Sequence, residues 1–328
     1  MRARIIGTGG YLPPDVMTSE ALAERLGVTA EWIVERTGIG ARHIAAPDET
    51  TSQMATKAAR QALLSAGIAA EEIDLIIVGT VTPDSPTPST AALVQAALGA
   101  SRACAFDVSA ACAGALFGMI VAEQFIKTGL ARHALVIGAE LLSRSIDWDD
   151  RNTAVLFGDG AGAVILAASE DDDGPGILAR CLHTDGTLSG ILSIPGPGTA
   201  TSARDPRLVA ERLDTIHMQG REVFRSAVRT LTAAAGEVLS EAGITREDVE
   251  HVMGHQANLR IIQSVMAHLD LPMERCHINL DRCGNTSAAS ILLLIDAAAR
   301  QGKLLAGDHL LCLAAGAGLV WGGLLLRW

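Results

Sequence analysis

The chain has 328 residues, 49% of them hydrophobic and 19% charged, with a formal net charge of −11. That is enough apolar material for a large core, in two domains or one large duplicated one, and it excludes a disordered chain. The acidic balance excludes a general nucleic-acid binder, which needs a basic surface to displace counterions from phosphate.

Apolar strand-like runs alternate with Ala-rich helical runs, the pattern of an α/β protein. In chain order the first half reads as a strand over 73–79, a helix over 90–98, a strand over 106–108, a helix from Cys112 to 129, a strand over 134–138, and Gly158-Asp-Gly-Ala-Gly-Ala163 running into 164–166. The second half repeats the order: 249–255, 258–269, 277–279, a helix over 287–301, a strand over 309–313, and Gly316-Ala-Gly318 running into 324–326. Residue identity between the halves is low, so the duplication rests on order and spacing. It predicts two halves, 1–170 and 171–328. Aligning them puts Ala111-Cys-Ala-Gly114 opposite Gly284-Asn-Thr-Ser287, each ahead of a helix too apolar for a surface. Such helices belong between two sheets, in a duplicated α-β-α-β-α five-layer architecture.

The apolar runs at 73–81 and 309–320 are too short or too rich in Gly and Ala to cross a bilayer, and no charged-then-apolar signal pattern opens the chain; a cytoplasmic protein with no membrane partner is expected. The six cysteines (104, 112, 181, 276, 283 and 312) show no CxxC pairing and no paired-ligand spacing with histidine, so neither a disulfide framework nor a metal site is expected.

Three positions carry candidate chemistry. Cys112 follows a strand end and opens a small-residue helix, where the positive end of the dipole and unpaired N–H groups favour thiolate. His255 ends an apolar strand and opens Gly254-His-Gln-Ala-Asn-Leu-Arg260, the carboxyl-end position at which α/β sheets bind ligands. His251, His268 and His277 read as structural or exposed. Asn285 precedes a helix that it could simply cap. The duplication places all three residues at adjacent loop ends. Cys, His and Asn together fit papain-type hydrolysis, but a cysteine at the head of a buried helix in a duplicated fold disagrees with it. The alternative is decarboxylative Claisen condensation, in which the thiolate carries an acyl group while His and Asn donate to a thioester enolate. Arg221, Arg225 and Arg229, four apart in a predicted helix, share one face; spacing alone fits a solvated face balanced by acids at least as well.

The runs Asp107 to Gly114, Gly254 to Ile261, Gly284 to Ser290, Phe157 to Ala163, Gly316 to Gly322 and Glu31-Trp-Ile-Val-Glu-Arg-Thr-Gly-Ile39 with Arg42-His-Ile44 resemble β-ketoacyl-acyl-carrier-protein synthase III, in order and across essentially the whole chain. The resemblance implies a thiolase-like fold, a homodimer, and no cofactor, with acyl-CoA and malonyl-acyl carrier protein as substrates. It implies acylation of Cys112, an oxyanion hole from the N–H groups of Cys112 and Ala317, and an enolate held by His255 and Asn285. Trp32 would stack on adenine, Arg151 and Arg36 would contact phosphate, and Asn258, Gly220 and Phe224 would line a pantetheine tunnel. Arg225 and Arg260 would dock the carrier protein. Without the resemblance, Trp32 and Phe224 read as packing residues.

Thr87, Leu142 and Ala315 would shape the acyl pocket. Many members carry phenylalanine at the place of Ala315, and acetyl-specific members carry a bulky aromatic near Thr87, across the dimer interface. Losing both predicts a primer longer or bulkier than acetyl. The alternative is a secondary-metabolism relative that condenses an unusual starter or transfers an acyl group to oxygen or nitrogen. An inactive partner subunit disagrees with an intact Cys, His and Asn set, and chalcone-synthase-like or hydroxymethylglutaryl-CoA-synthase-like enzymes fit the quoted runs less well.

Overall fold

The computed structural model describes residues 2–169 and 174–328, so the expected division between 170 and 171 lies outside the described residues. The first half runs β1 (Arg2–Tyr11), β2 (Asp15–Thr18), α1 (Ser19–Leu26), α2 (Ala30–Thr37), β3 (Ala41–Ile44), α3 (Thr51–Ala66), β4 (Leu75–Gly79), α4 (Thr90–Leu98), β5 (Cys104–Val108), α5 (Gly114–Lys127), β6 (His133–Glu140) and β7 (Gly160–Ser169). Then come β8 (Gly176–Thr184), β9 (Leu192–Ser193), α6 (Arg207–Ala210), β10 (His217–Met218), α7 (Gly220–Ala242), β11 (His251–Gly254), α8 (Leu259–Leu269), α9 (Leu280–Cys283), α10 (Ser290–Arg300), β12 (His309–Gly316) and β13 (Val320–Arg327).

The main sheets repeat one topology. The first has the order β1-β7-β6-β4-β5 and the second β8-β13-β12-β11. In each, the two leading pairs are antiparallel and the next pair is parallel. The strand expected at 277–279 is absent. Its place is marked by a single parallel bridge between Val252 and Cys276. The buried Gln256 side chain takes over the ladder's work: Oε1 accepts from the N–H groups of Asn279 and Leu280, and Nε2 donates to His277 O.

Strand periodicity divides the core. Leu75 and Ile77 face a central cluster with Leu116 and Met119 of α5 and Ile291 and Leu294 of α10, whereas Ile76 and Val78 face an outer cluster with Met54, Ala58 and Ala62 of α3. The unbroken apolar run is therefore a strand buried on both faces. A third cluster sets Leu231 and Val238 of α7 and Ile262 of α8 against Leu311 and Leu325 of the second sheet. Each such side chain contributes about 2 kcal/mol on burial. The outcome is five layers, with α5 and α10 enclosed between the sheets. Among the described residues, no helix is long and apolar enough to cross a membrane.

Candidate active site

Each enclosed helix is preceded by a 3-10 turn, Ala111–Ala113 before α5 and Ser287–Ala289 before α10. Both turns open on a non-glycine residue of positive φ, 44° at Ala111 and 47° at Ser287, a conformation that persists only where its surroundings enforce it. This shared strain corrects the expected alignment by three residues. Cys112 corresponds to Ala288, not to Asn285, because periodicity shows the helices and not the turns ahead of them. Close packing crosses between the halves: a Cβ on Gly138 of β6 would strike the Ala288 carbonyl, and one on Gly316 of β12 would stand 2.7 Å from Cys112 N.

The three candidate residues line one cavity of about 790 Å3. His255 and Asn285 are buried and Cys112 is partly exposed into the cavity. His255 follows β11, its N–H donating to Leu313 O at 2.8 Å, and its Nδ1 lies 2.7 Å from Ser290 Oγ. Burial pushes its ring down to about 4, so it is neutral near pH 7. Asn285 is clamped by backbone bonds to Leu156 O and from Gly158 N, and its Oδ1 accepts from Ser287 N at 2.8 Å. A backbone N–H can only donate, so the amide oxygen faces the turn and Nδ2 remains available as a donor.

Dipole-driven ionisation of Cys112 meets opposition. Burial pushes the thiol up to about 12, and the nearby Glu140 pushes the same way, while a hydrogen bond with Ser287 pulls it down. Glu140 escaped the sequence reading; an acid ending an otherwise apolar strand in Gly138-Ala-Glu140 was the available signal. Its carboxylate is fully buried and accepts from Thr80 Oγ1, Val81 N, Thr82 Oγ1 and Ser287 Oγ.

Other motif residues prove to be scaffolding. Asp107 accepts from Thr90 N and Ala91 N at 2.7 Å each, holding the start of α4. Asp159 accepts from Ala45 N, Ser143 N and Ser143 Oγ. Arg42, 0% exposed, donates to Val155 O at 2.9 Å and reaches Ser19 Oγ at 3.4 Å. It thereby fixes the segment that clamps Asn285.

Trp32, Arg36, Arg151, Gly220, Phe224, Arg225, Asn258 and Arg260 line the same cavity, together with Arg221 and Ala315. Arg36 lies over the Trp32 ring at 4.5 Å. Asn258 caps α8 by accepting from Arg260 N and donates to Arg36 O, so it also performs the structural task that its sequence predicts. Arg225 pairs loosely with Glu222 at 3.5 Å, and Arg260 donates to Glu35 O.

A second cavity, of about 760 Å3, is lined by Leu141, Leu142, Ile194, Ile216, Ser287 and Ala317, and shares Cys112, Phe157 and Leu192 with the first. Of the three residues expected at the acyl pocket, Leu142 lines this second cavity. Ala315 lies on the first cavity, and Thr87 is exposed and lines neither cavity of the single chain. Away from the site, Cys181, His183 and Glu237 bring potential ligand atoms within 4.8 Å of one another, a grouping the cysteine spacing did not announce.

The family models for 3-oxoacyl-[acyl-carrier-protein (ACP)] synthase III match residues 106–186, and its C-terminal part matches residues 239–328. A curated β-ketoacyl-[acyl-carrier-protein] synthase III from Alkalilimnicola ehrlichii is 49% identical, with 99% of each chain covered. The chain belongs to the β-ketoacyl-acyl-carrier-protein synthase III family. The crystal structure of a 3-oxoacyl-[acyl-carrier-protein] synthase III from Aquifex aeolicus VF5 is 45% identical, with a TM-score of 0.91 and coverage of 99% of this chain and 100% of that one. The priming β-ketosynthase of the R1128 polyketide pathway is 37% identical at the same TM-score, covering 99% of this chain and 96% of the other. The fold is thus thiolase-like, and synthase III is a condensing enzyme of the acyltransferase class.

Proposed function

We propose that Cys112 takes the acyl group of an acyl-CoA and then condenses it with malonyl-acyl carrier protein, releasing coenzyme A and carbon dioxide and giving the β-ketoacyl-carrier protein that starts fatty-acid synthesis. The observation that carries this reading is the position of Cys112 in the wall shared by two cavities. A thioester cleaved there has its thiol arm in one chamber and its acyl chain in the other. The first chamber collects Arg36, Arg151, Arg221, Arg225 and Arg260 in a chain of net charge −11, which suits phosphates and an acidic carrier. The second has an aliphatic stretch of Leu141, Leu142, Ile194 and Ile216 beside polar residues that include Asp84, Arg144 and Asp214.

The roles follow from the donors. The N–H groups of Cys112 and Ala317 hold the thioester oxyanion, each such donor being worth about 3 kcal/mol of barrier. Neutral His255, its Nδ1 accepting from Ser290, presents Nε2–H, and Asn285 presents Nδ2, so an enolate formed by loss of carbon dioxide meets two donors and attacks the acyl-cysteine carbonyl. Trp32 holds the adenine, Arg36 and Arg151 contact phosphate, and Gly220, Phe224 and Asn258 flank the pantetheine, while Arg225 and Arg260 receive the carrier protein. Substrate binding has to displace Arg36 from the Trp32 face or use the other face. No cofactor takes part, since both substrates arrive already activated as thioesters.

The primer is longer than acetyl, as the size of the second cavity supports, with Leu142 on its wall. Halves 1–170 and 171–328 supply the nucleophile and the two donors respectively. A cytoplasmic homodimer completes the reading, with the exposed Thr87 loop reaching a second copy. A secondary-metabolism starter is the second reading, favoured by the roomy pocket and the likeness to a polyketide priming enzyme. Intact-mass measurement after incubation with acyl-CoAs of graded length, then with malonyl-carrier protein, tests both readings. Acylation lost in Cys112→Ala and discharged with carbon dioxide supports condensation. Acylation that clears only onto an alcohol or amine overturns it.

A further inference from the structure

On the outer face of the second sheet, three metal-ligating side chains converge from two elements. Cys181 and His183 stand two apart on β8 and so share one face of the strand, whereas Arg180 points to the other face and pairs with Glu123 of α5 at 2.9 Å. The shared face is covered by α7. The Cys181 thiol donates to Ala234 O at 3.8 Å, and His183 Nε2 lies 2.7 Å from Glu237 Oε2. Ala234, Glu237, Val238 and Glu241 follow the i, i+3, i+4, i+7 spacing of one helix face. Thiol sulfur, ring nitrogen and carboxylate oxygen all lie within 4.8 Å of one another. None of the three residues lines either active-site cavity.

We propose that this cluster binds a zinc-class divalent ion that ties β8 to α7, with the Cys181 thiolate, His183 and Glu237 as its three protein ligands and solvent in the fourth position. Sulfur, nitrogen and oxygen donors in one small set suit zinc, whereas magnesium and calcium call for oxygen alone. A tetrahedral ion sets its nitrogen and oxygen ligands about 3.4 Å apart, so His183 and Glu237 need only spread slightly from hydrogen-bond distance. Their side chains are 38% and 49% exposed, which leaves them free to move and gives the ion its way in. Burial pushes the Cys181 thiol up to about 11, so it carries its proton at neutral pH. The ion displaces that proton to solvent as the sulfur–metal bond forms. The thiolate and carboxylate charges then cancel the two positive charges of the ion.

The surroundings hold two of the ligands in place. The His183 ring stacks on Trp321, its register partner on β13, with centroids 5.4 Å apart, so the plane of the imidazole is set by a neighbour outside the ligand set. Cys181 is paired with Gly323 on the same strand and is buried in the cluster that α7 forms with the second sheet. β8 is an edge strand of that sheet, and α7 carries Gly220, Phe224 and Arg225 into the first cavity from its other end. An ion at Glu237 therefore fastens the edge strand to the helix and takes no part in the reaction. The inference is independent of how the active site is read.

The test uses the purified protein, reduced and stripped with a chelator, then titrated with Zn2+ by calorimetry and with Co2+ as an optical probe. One equivalent of Co2+ is expected to bring a thiolate-to-cobalt charge-transfer band and the strong visible bands of a tetrahedral site. Both should vanish in Cys181→Ser and persist in Cys112→Ala, which keeps the active-site thiol out of the assignment. His183→Asn and Glu237→Gln should each weaken Zn2+ binding by about tenfold or more. Zn2+ at a hundredfold excess over its Kd should raise the melting temperature by about 4 °C, and Mg2+ should leave it unchanged. Should Cys181→Ser fail to fold, the variants at the two more exposed positions still decide the matter. A Zn2+ affinity weaker than about 100 μM, a charge-transfer band that survives in Cys181→Ser or disappears in Cys112→Ala, or an equal thermal shift with Mg2+ overturns the site.

Discussion

His255 Nδ1 and Ser290 Oγ lie 2.7 Å apart in the buried floor of the site, joining β11 to the first residue of α10. The bond fixes which ring nitrogen carries the proton, as a second partner of a functional histidine commonly does. Ser290→Ala removes the donor and leaves Nδ1 unsatisfied, at a cost of about 1–3 kcal/mol. Decarboxylation of malonyl-carrier protein is therefore expected to slow by about 10- to 100-fold, with acyl loading of Cys112 nearly unchanged. Equal losses in both half-reactions would instead mark a general packing defect.

Two buried groups set stability against pH with opposite signs. Glu140 is raised from 4.5 to about 7, so its contribution is complete below 4.5 and is lost as pH rises through 7. His255 is lowered from 6.5 to about 4, so its contribution is complete above 6.5 and is lost as pH falls through 4. Relative to the wild type, E140Q should gain in melting temperature from pH 4.5 to 7, and His255→Asn should lose from pH 4 to 6.5. Differential scanning fluorimetry across pH 4–8 checks both; parallel curves would contradict the assignment.

Arg42 supplies a test of the scaffold. It is 0% exposed, burial lowers it to about 10, and its donation to Val155 O holds the segment that clamps Asn285. Arg42→Met keeps most of the volume but leaves the carbonyl without its donor, and should cost about 3 kcal/mol in urea unfolding. Arg42→Lys keeps one cationic donor and should cost less. Equal stabilities would show that the buried guanidinium is dispensable.

What the sequence discloses is set by which physical signals are periodic. The strand at Leu75–Gly79 and helix at Thr90–Leu98 are legible because apolar runs and Ala-rich faces repeat along the chain. Cys112, His255 and Asn285 stand out as candidates because each lies at the edge of an apolar element, His255 after a strand and Cys112 and Asn285 ahead of a helix. The three-residue register error came from the turns at Ala111 and Ser287, whose positive φ depends on packing against the other half and leaves no mark on periodicity. The absent strand at 277–279 failed for a related reason, since one side chain, Gln256, replaces the ladder from a distance of twenty residues or more. Glu140 was hidden because its donors come from two separate segments.

Charge at the cavity mouth separates carrier recognition from coenzyme A chemistry. Arg225 and Arg260 are both exposed, so reversing them acts mainly on encounter. The double variant Arg225→Glu, Arg260→Glu is expected to raise KM for malonyl-carrier protein at least tenfold and to flatten its salt dependence. Loading of Cys112 from acyl-CoA should change by less than about threefold. Surface plasmon resonance with carrier protein at 50 and 300 mM salt gives the binding comparison, and unchanged affinity would remove these arginines from the docking face.

The two cavities predict that primer choice and acceptor entry respond to different substitutions. Leu142 lines the chamber assigned to the acyl chain and Ala315 the chamber that also holds His255 and Asn285. Leu142→Trp places a large ring in the acyl chamber, and should shift loading toward acetyl-CoA by tenfold or more against octanoyl-CoA, since overpacking is strongly unfavourable for the longer chain. Ala315→Phe fills space on the other side of Cys112. It should leave the ratio of acetyl to octanoyl loading unchanged and raise KM for malonyl-carrier protein severalfold. Competition between the two primers, read by intact mass, distinguishes the cases. If Ala315→Phe changes the primer ratio as strongly as Leu142→Trp, the chambers are not functionally separate and the acyl chain occupies both.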